Sequence, residues 1–98
     1  MTTQEMAKIF KALSNEQRLN LFKMLYYWNK TVPQDMCAKG VDKSFTRACD
    51  CMNISRSTIS HHFKELENAG LITRTRNGQF FCCSINKELF EQVMEFFK

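Results

Sequence analysis

Residues 55–85 restrict the folds open to this chain more than any other segment, because they place a helix directly before a two-stranded hairpin. The apolar residues over 55–69 recur at the spacing of a helix with one buried face. Gly70 follows, in the place of a left-handed helix cap. Two extended runs then flank Asn77-Gly78, which is the strongest short signal for a hairpin. The segment therefore predicts a helix, a tight turn and a β-hairpin, in that order.

Apolar periodicity predicts two more helices before this segment. The first covers 3–13. The second is predicted to begin at Asn15 and to fade near 28–30, because Ser14 and Gln17, three residues apart, form a capping-box signature. The predicted apolar stripes are Met6, Ile9, Phe10 and Leu13 on the first helix, and Leu19, Leu21, Phe22, Leu25 and Tyr26 on the second.

The remaining segments complete the predicted topology. Residues 31–43 contain the one proline and a glycine, and they predict a long loop. A short helix is predicted over 44–52, and Asn86 can cap a last helix over 87–97. The resulting order, α-α-α-α-β-β-α, is mainly α with a small β-hairpin. A short helix, a tight turn, a longer helix and a two-stranded ribbon are the layout of a winged helix-turn-helix.

Composition limits the class of protein. At 98 residues the chain is predicted to form one domain over 1–98, with a thin core. Its apolar share of 44% argues against disorder, and its net charge of +4 is compatible with a nucleic-acid partner. The sequence predicts no membrane association, because it has neither a signal-peptide layout nor a long apolar stretch. We therefore expect a cytoplasmic protein whose five cysteines are reduced.

Three segments resemble the ArsR family of bacterial and archaeal repressors. The family's second-helix signature is similar to KALSNEQRLNLFKML at 11–25. Its recognition helix and the following turn are similar to ISRSTISHHFKELENAGLI at 54–72, and its wing and last strand to RNGQFFCCSIN at 76–86. The resemblance implies a homodimeric, DNA-binding transcriptional repressor of the kind that an inducer releases from its operator.

The polar side of the helix over 55–69 is suited to contact with double-stranded DNA. A solvated helix face usually carries mixed charge, whereas this face carries hydroxyls, a histidine and two cations before the first acid at Glu65. Arg56 lies in the N-terminal turn, which enters the major groove in such motifs, and an arginine can donate two hydrogen bonds to guanine. His62 points to the apolar side, so packing is favoured over metal ligation.

The lysine of this helix is predicted to contact phosphate, and the hairpin arginines are predicted to grip the flanking backbone or a minor groove. The predicted DNA-binding residues are Arg56, Ser57, Thr58, Ser60, His61, Lys64, Arg74 and Arg76.

The terminal helices carry more apolar surface than a thin core can absorb. The last helix is apolar on nearly every side, which is typical of a helix that is buried on more than one side. We therefore predict a homodimer whose interface is formed by the helices over 3–13 and 87–97; the alternative is an intramolecular cluster of phenylalanines. A two-fold dimer would place two recognition helices about one DNA turn apart, on a near-palindromic operator.

The cysteines leave three interpretations open: packing, sensing of a soft metal or metalloid ion, and a thiol redox switch. Cys49 and Cys51 form the Cys-x-Cys pattern with which ArsR-type repressors bind trivalent arsenic or antimony. In the register of the recognition helix, however, the family's thiolates would fall near Ser44 and Thr46. Cys49 and Cys51 instead match small apolar residues that pack the short helix on the recognition helix. For a sensor, the candidate thiols are Cys37, in the loop, with Cys49 or Cys51.

Two other classes of function compete with a DNA-binding regulator. A winged-helix module can serve protein–protein contact within a transcription or viral assembly, without sensing an inducer. Such a module would not show the salt-dependent affinity for duplex DNA that several phosphate contacts produce. A thiol enzyme is disfavoured, because no cysteine has a base at a fixed offset and no cofactor loop is present. We therefore predict a regulator and not an enzyme.

Overall fold

A computed structural model describes residues 1–31, 44–77 and 80–98. Within these ranges the helices are α1 (Thr3–Leu13), α2 (Glu16–Thr31), α3 (Ser44–Cys51), α4 (Arg56–Asn68) and α5 (Lys87–Phe96). Strands β1 (Ile72–Asn77) and β2 (Phe80–Ile85) form an antiparallel hairpin between α4 and α5. This order confirms the predicted winged helix-turn-helix. None of the described helices has both the length and the hydropathy that a membrane crossing requires.

The junction between α1 and α2 differs from the predicted capping box by one residue. Ser14 has helical dihedral angles (φ −77°, ψ −11°), and its hydroxyl donates to the Lys11 carbonyl at 2.7 Å, so it ends α1. An N-cap needs an extended backbone instead. Asn15 takes that role, because its Oδ1 accepts the backbone N–H of Arg18 at 3.0 Å. The prediction that Ser14 caps α2 is therefore wrong.

The core lies where α1, α2, α3 and α4 meet the base of the hairpin. Two residues predicted to be buried are exposed instead: Leu19 at 47% and Phe10 at 42%. Leu19 precedes Leu21 by two residues and so points about 160° away from it on α2. Phe10 lies at the edge of the buried face of α1. The buried cluster comprises Ile9, Ala12, Leu21, Phe22, Leu25, Ala48, Ile59, Phe63, Leu66, Leu71, Ile72 and Ile85.

Two predicted cap residues fix the ends of the hairpin. Gly70 has φ +80°, the left-handed conformation that ends a helix at low cost, and this confirms its predicted role. Asn86 Oδ1 accepts the backbone N–H of Leu89 at 3.2 Å and so caps α5. The Asn86 side-chain amide also donates to the Gly70 carbonyl at 3.0 Å. Asn86 therefore joins the start of α5 to the end of α4.

The hairpin pairs Ile72 with Ile85 at its base and Asn77 with Phe80 at its far end. Asn77 therefore belongs to β1 and not to the turn in which the Asn-Gly signal placed it. Residues 78–79, between the strands, and the side chains of 75–82 lie outside the described part of the structure.

Candidate nucleic-acid interface

Helix α4 has one face in the core and the opposite face in water. Ile59, Phe63 and Leu66 are at most 1% exposed and anchor the helix on the rest of the fold. The opposite face carries most of the residues that the sequence predicts to bind DNA. We call this surface the α4 polar face; it consists of the exposed residues Arg56, Ser57, Ser60, His61 and Lys64. Three basic or protonatable side chains and two hydroxyls thus form one continuous surface on a rigid element.

The start of α4 is fixed by a cluster of hydroxyl groups. Ser55 Oγ accepts the backbone N–H of Thr58 at 3.2 Å, which confirms Ser55 as the N-cap. The same oxygen lies 2.7 Å from the Thr58 hydroxyl and 3.2 Å from that of Ser57. Thr58 is half-buried. Two of the predicted DNA-binding residues, Ser57 and Thr58, therefore place a hydroxyl against the cap oxygen.

Arg56 occupies the first turn of α4, where no acidic residue is present. Its guanidinium carbon lies 5.3 Å from the centroid of the Phe45 ring of α3. The N-terminal end of a helix carries a partial positive charge and favours anions such as phosphate. An exposed arginine at this end therefore adds a full positive charge to a position that already attracts a phosphate backbone.

The neighbouring histidines of α4 differ in exposure. The His61 side chain is 62% exposed, and its Nε2 lies 4.0 Å from Glu65 Oε1 one turn later. The His62 residue is 4% exposed and faces the core. This confirms that His62 is a packing residue and leaves His61 open to solvent.

His62 joins α4 to α2 through two long hydrogen bonds. Its Nδ1 accepts from Arg18 Nε at 3.4 Å, so its Nε2 carries the proton and donates to Gln17 Oε1 at 3.4 Å. Burial, together with the Arg18 cation and the neighbouring His61, lowers the pKa of His62 below its ordinary value. Arg18 also donates to the carbonyl of Ala12 at 3.0 Å and so links this pair to the end of α1.

The hairpin arginine that the structure describes is engaged within the chain. The Arg74 guanidinium bonds both carboxylate oxygens of Glu67, at 3.2 and 3.4 Å, and its carbon lies 5.9 Å from the centroid of the Phe63 ring. Arg74 therefore braces β1 against α4, and DNA contact by Arg74 stays a prediction. The side chain of Arg76 lies outside the described residues.

The two cysteines of α3 do not share an environment. Cys49 is half-buried and packs against the core, and its role as a sensor thiol stays a prediction. Cys51 is exposed, so packing is wrong for this residue: it lines an open groove with Tyr27 and Trp28 of α2. Cys37 lies outside the described residues. Within the described part of the chain, no three His, Cys, Asp or Glu side chains are grouped to hold a metal ion. The described donors by themselves therefore do not fit a soft-metal site.

A second exposed surface is apolar. None of the residues of α5 is buried, and the ring of Phe97, just after this helix, lies 5.7 Å from the ring of Phe10 on α1. We call this surface the α1–α5 apolar face; its exposed members are Phe10, Met94, Phe96 and Phe97. The homodimer interface predicted here stays a prediction.

Sequence reasoning missed two aromatic contacts of arginines. Phe45 lies under Arg56, and Trp28 lies 5.2 Å from the guanidinium carbon of Arg47. In each pair the partners belong to different helices, 11 and 19 residues apart in the sequence, so no local pattern signals them. The one sequence signal for these contacts was the excess of basic over acidic residues in 43–64, which indicates that cations are concentrated in this region.

Comparison with known proteins gives a consistent result. The model of a family described as "Bacterial regulatory protein, arsR family" matches residues 42–74, which span α3, α4 and the start of β1. The uncharacterized HTH-type transcriptional regulator YceK of Bacillus subtilis (strain 168) is 32% identical over 88 residues, which are 90% of this chain and 77% of YceK.

Two further similarities bear on sensing and on fold. A cadmium resistance transcriptional regulatory protein CadC homolog of Staphylococcus aureus is 29% identical over 94 residues, 93% of this chain and 65% of that protein. A solved structure of an ArsR-like transcriptional regulator from Rhodococcus sp. RHA1 matches with a TM-score of 0.70 and 21% identity. The match covers 95% of this chain and 76% of that one, and it establishes a shared fold.

Proposed function

This chain belongs to the ArsR family of DNA-binding transcriptional regulators, which are not enzymes, and from that premise we propose that it represses transcription as a homodimer. In this proposal α4 enters the major groove of a near-palindromic operator and contacts it through the α4 polar face. The predicted contacts of Thr58, Arg74 and Arg76 belong to the same proposal. Because the operator lies on DNA, we expect the protein in the cytoplasm.

The proposal depends on one observation: α4 has a buried apolar face and an opposite exposed face that is polar and basic. The buried face holds the helix in place, and the exposed face bears Arg56, His61 and Lys64 with no acid before Glu65. Arginine donors can discriminate guanine, whereas lysine and hydroxyl groups are suited to phosphate. A protein-contact module would have no need for this charge pattern at the start of the helix.

The α1–α5 apolar face supports the homodimer. Large apolar side chains in contact with water are unfavourable, and a contiguous exposed patch of them is typical of an interaction site. A second copy of the chain is the simplest partner, because a two-fold axis at this face would bury the same residues of both copies. The axis would also relate two α4 helices, as a near-palindrome requires.

The test is a binding assay with a duplex that the wild-type protein selects from a random library. We expect the double variant R56A/H61A to bind this duplex at least about 100-fold more weakly, since each base contact contributes roughly 1–3 kcal/mol. Its melting temperature should match that of the wild type, because both side chains are exposed. The matched control N20A/K23A changes two exposed residues of α2 and also removes one cation, and it should bind DNA normally.

Salt dependence separates the proposal from its alternative. The affinity of a DNA-binding dimer should fall linearly on a log–log plot against salt, with a slope set by the number of phosphate contacts. If R56A/H61A bound the selected duplex with the affinity of the wild type, the α4 polar face would not be the DNA-binding surface. A wild-type protein that shows no salt-dependent duplex binding would instead favour the protein–protein module.

For the inducer, the similarity to a regulator named for cadmium resistance supports a soft metal or metalloid ion, and the five thiols equally suit oxidation. The candidate sensor thiols are Cys37, Cys49 and Cys51. Cys49 and Cys51 do not belong to a group of three or more described side chains that could hold a metal ion, so for a metal sensor we take Cys37 with Cys49 or Cys51 as the first candidate pair.

Each of these cysteines should be replaced by serine in turn. Release from DNA is then measured with arsenite, zinc, cadmium and peroxide. A sensor predicts that at least one variant fails to release with the agent that releases the wild type. Release that persists in every variant would exclude these thiols as the sensor.

A further inference from the structure

We propose that Phe45 is a positioning residue for DNA recognition: its ring holds the Arg56 guanidinium at the start of α4, ready to contact a base. The inference rests on the proposed function, because the position of Arg56 affects binding only if Arg56 contacts DNA. Phe45 lies on α3, outside the α4 polar face, and makes no DNA contact in this proposal.

The geometry of the contact between Arg56 and Phe45 supports this role. The guanidinium carbon of Arg56 lies 5.3 Å from the Phe45 ring centroid, inside the roughly 6 Å range in which an aromatic face attracts a cation. The Phe45 ring in turn lies 5.6 Å from the ring of Phe63, centroid to centroid, and Phe63 is 1% exposed. An exposed, flexible arginine thus lies on a ring that is itself packed on the core.

The electrostatic surroundings of Arg56 also favour the Phe45 contact. Arg56 stands at the N-terminal end of α4, where the helix dipole disfavours a cation and where the first turn has no acid. Within the described part of the chain, the carboxylates that lie within 4.0 Å of a basic side chain are next to His61, Arg74 and Lys98, not Arg56. Among the described residues, the Phe45 ring is therefore the contact that favours the Arg56 charge.

A comparison with Arg74 shows why this contact suits recognition. Both guanidinium groups lie over rings of the Phe45–Phe63 pair, but Glu67 also occupies the hydrogen-bond donors of Arg74. A guanidinium held by a ring face keeps the N–H donors at its edge free for the two acceptors of guanine. Holding the side chain before binding also reduces the conformational entropy that the complex must lose.

The experiment is a double-mutant cycle on DNA binding. F45L removes the aromatic face and keeps an apolar side chain against Phe63, R56Q removes the cation, and F45Y keeps the ring. Affinities are measured for the duplex selected by the wild type and for duplexes in which each base pair is changed in turn. The melting temperature and the salt slope are recorded for every variant.

The expected results are specific to positioning. F45L should weaken binding about three- to tenfold and should reduce discrimination at the same base pairs at which R56Q loses it. In the R56Q background, F45L should have no further effect. F45Y should bind like the wild type, and F45L should keep the wild-type salt slope, because no phosphate contact is lost.

The outcomes separate this inference from the proposed function. If R56Q binds and discriminates like the wild type, Arg56 does not contact DNA and both ideas fail. If R56Q loses discrimination, Arg56 contacts DNA and the proposed function stands. In that case the positioning role of Phe45 is wrong if F45L binds like the wild type, or if the affinity losses of F45L and R56Q multiply in the double variant.

A measurement on the wild-type protein covers the case in which F45L does not fold. The NMR signals of the Arg56 δ protons should be shifted upfield by the Phe45 ring current, relative to arginine in an unfolded peptide. Unshifted signals would overturn the inference.

Discussion

The α4 polar face and the α1–α5 apolar face are both exposed on this chain, but they differ in chemistry and in support. The first carries hydroxyls and cations on a helix whose other side is buried, with Phe63 and Leu66 at most 1% exposed. The second carries large apolar side chains on α5, a helix with no buried residue. A polar surface is stable in water and needs no cover, whereas an apolar patch gains free energy when it is covered.

Exposure alone therefore does not identify the binding partner of a surface. The α4 polar face matches a charged, hydrogen-bonding partner, and its rigid support suits contacts that must meet fixed base positions. The α1–α5 apolar face matches a second apolar surface. Four changes, two on these faces and two on the support of α4, test whether the faces have separate roles.

The largest effect is expected from a charge on the apolar face. F97E should convert the dimer to a monomer and weaken DNA binding about 100-fold or more, because a carboxylate at the centre of an apolar interface loses its water on association. Sedimentation and DNA-binding measurements check this. If F97E remained dimeric, the dimer interface would not lie at the α1–α5 apolar face.

The same charge on the other face should give the opposite result. S60E places a carboxylate on the α4 polar face and should weaken DNA binding roughly 10- to 100-fold by repulsion from phosphate, while the protein stays dimeric. The measurement is the same pair of assays. If S60E changed the oligomeric state, or left DNA binding intact, the two faces would not be separate in function.

A smaller effect is expected at the cap of α4. S55A removes the oxygen that accepts the Thr58 N–H, and it should lower the free energy of unfolding by about 1 kcal/mol. Denaturant unfolding provides the measurement. S60A removes an exposed hydroxyl further along α4, outside the hydroxyl cluster at the cap, and should cost less. Equal losses for the two variants would show that Ser55 does not act as a cap.

The smallest effect concerns the histidine behind the polar face. Because burial, chiefly, lowers the pKa of His62 in the folded protein, the unfolded chain binds a proton more readily as the pH falls below 6.5. Stability is therefore complete above pH 6.5 and declines as the pH falls from there toward the lowered pKa. Unfolding curves recorded across this range should show the decline.

Matched variants identify the residue responsible for this pH dependence. H62Q should remove most of the decline, whereas H61Q, on the exposed face, should retain it. The reverse pattern would place the titrating group on the polar face instead.

The sequence predicts best where structure depends on neighbours along the chain. The cap at Ser55, the glycine at Gly70 and the cap at Asn86 were each predicted correctly, because their hydrogen bonds or dihedral angles involve residues at most four positions away or the residue itself. The error at Ser14 arose between two adjacent residues that can both cap. The backbone of Ser14 continues α1, so Asn15 takes the cap, and composition alone does not distinguish them.

The site was predictable in part for the same reason. Helical periodicity placed Arg56, His61 and Lys64 on the exposed face of α4 and His62 on its buried face. Periodicity did not reveal the ion pair that engages Arg74, because Glu67 meets it only after the chain turns back through Gly70. It also did not distinguish half-buried Cys49 from exposed Cys51, since that depends on how α3 packs.

The order of the helices and strands, the caps at Ser55, Gly70 and Asn86, and the polar face of α4 were readable from the amino-acid sequence alone, because they follow from periodicity and local capping. The tertiary structure decided which side chains meet across elements: Phe45 beneath Arg56, Arg18 beside His62, and Phe10 beside Phe97. Such contacts join residues 11 to 87 positions apart, so their geometry is set by packing and not by any local pattern.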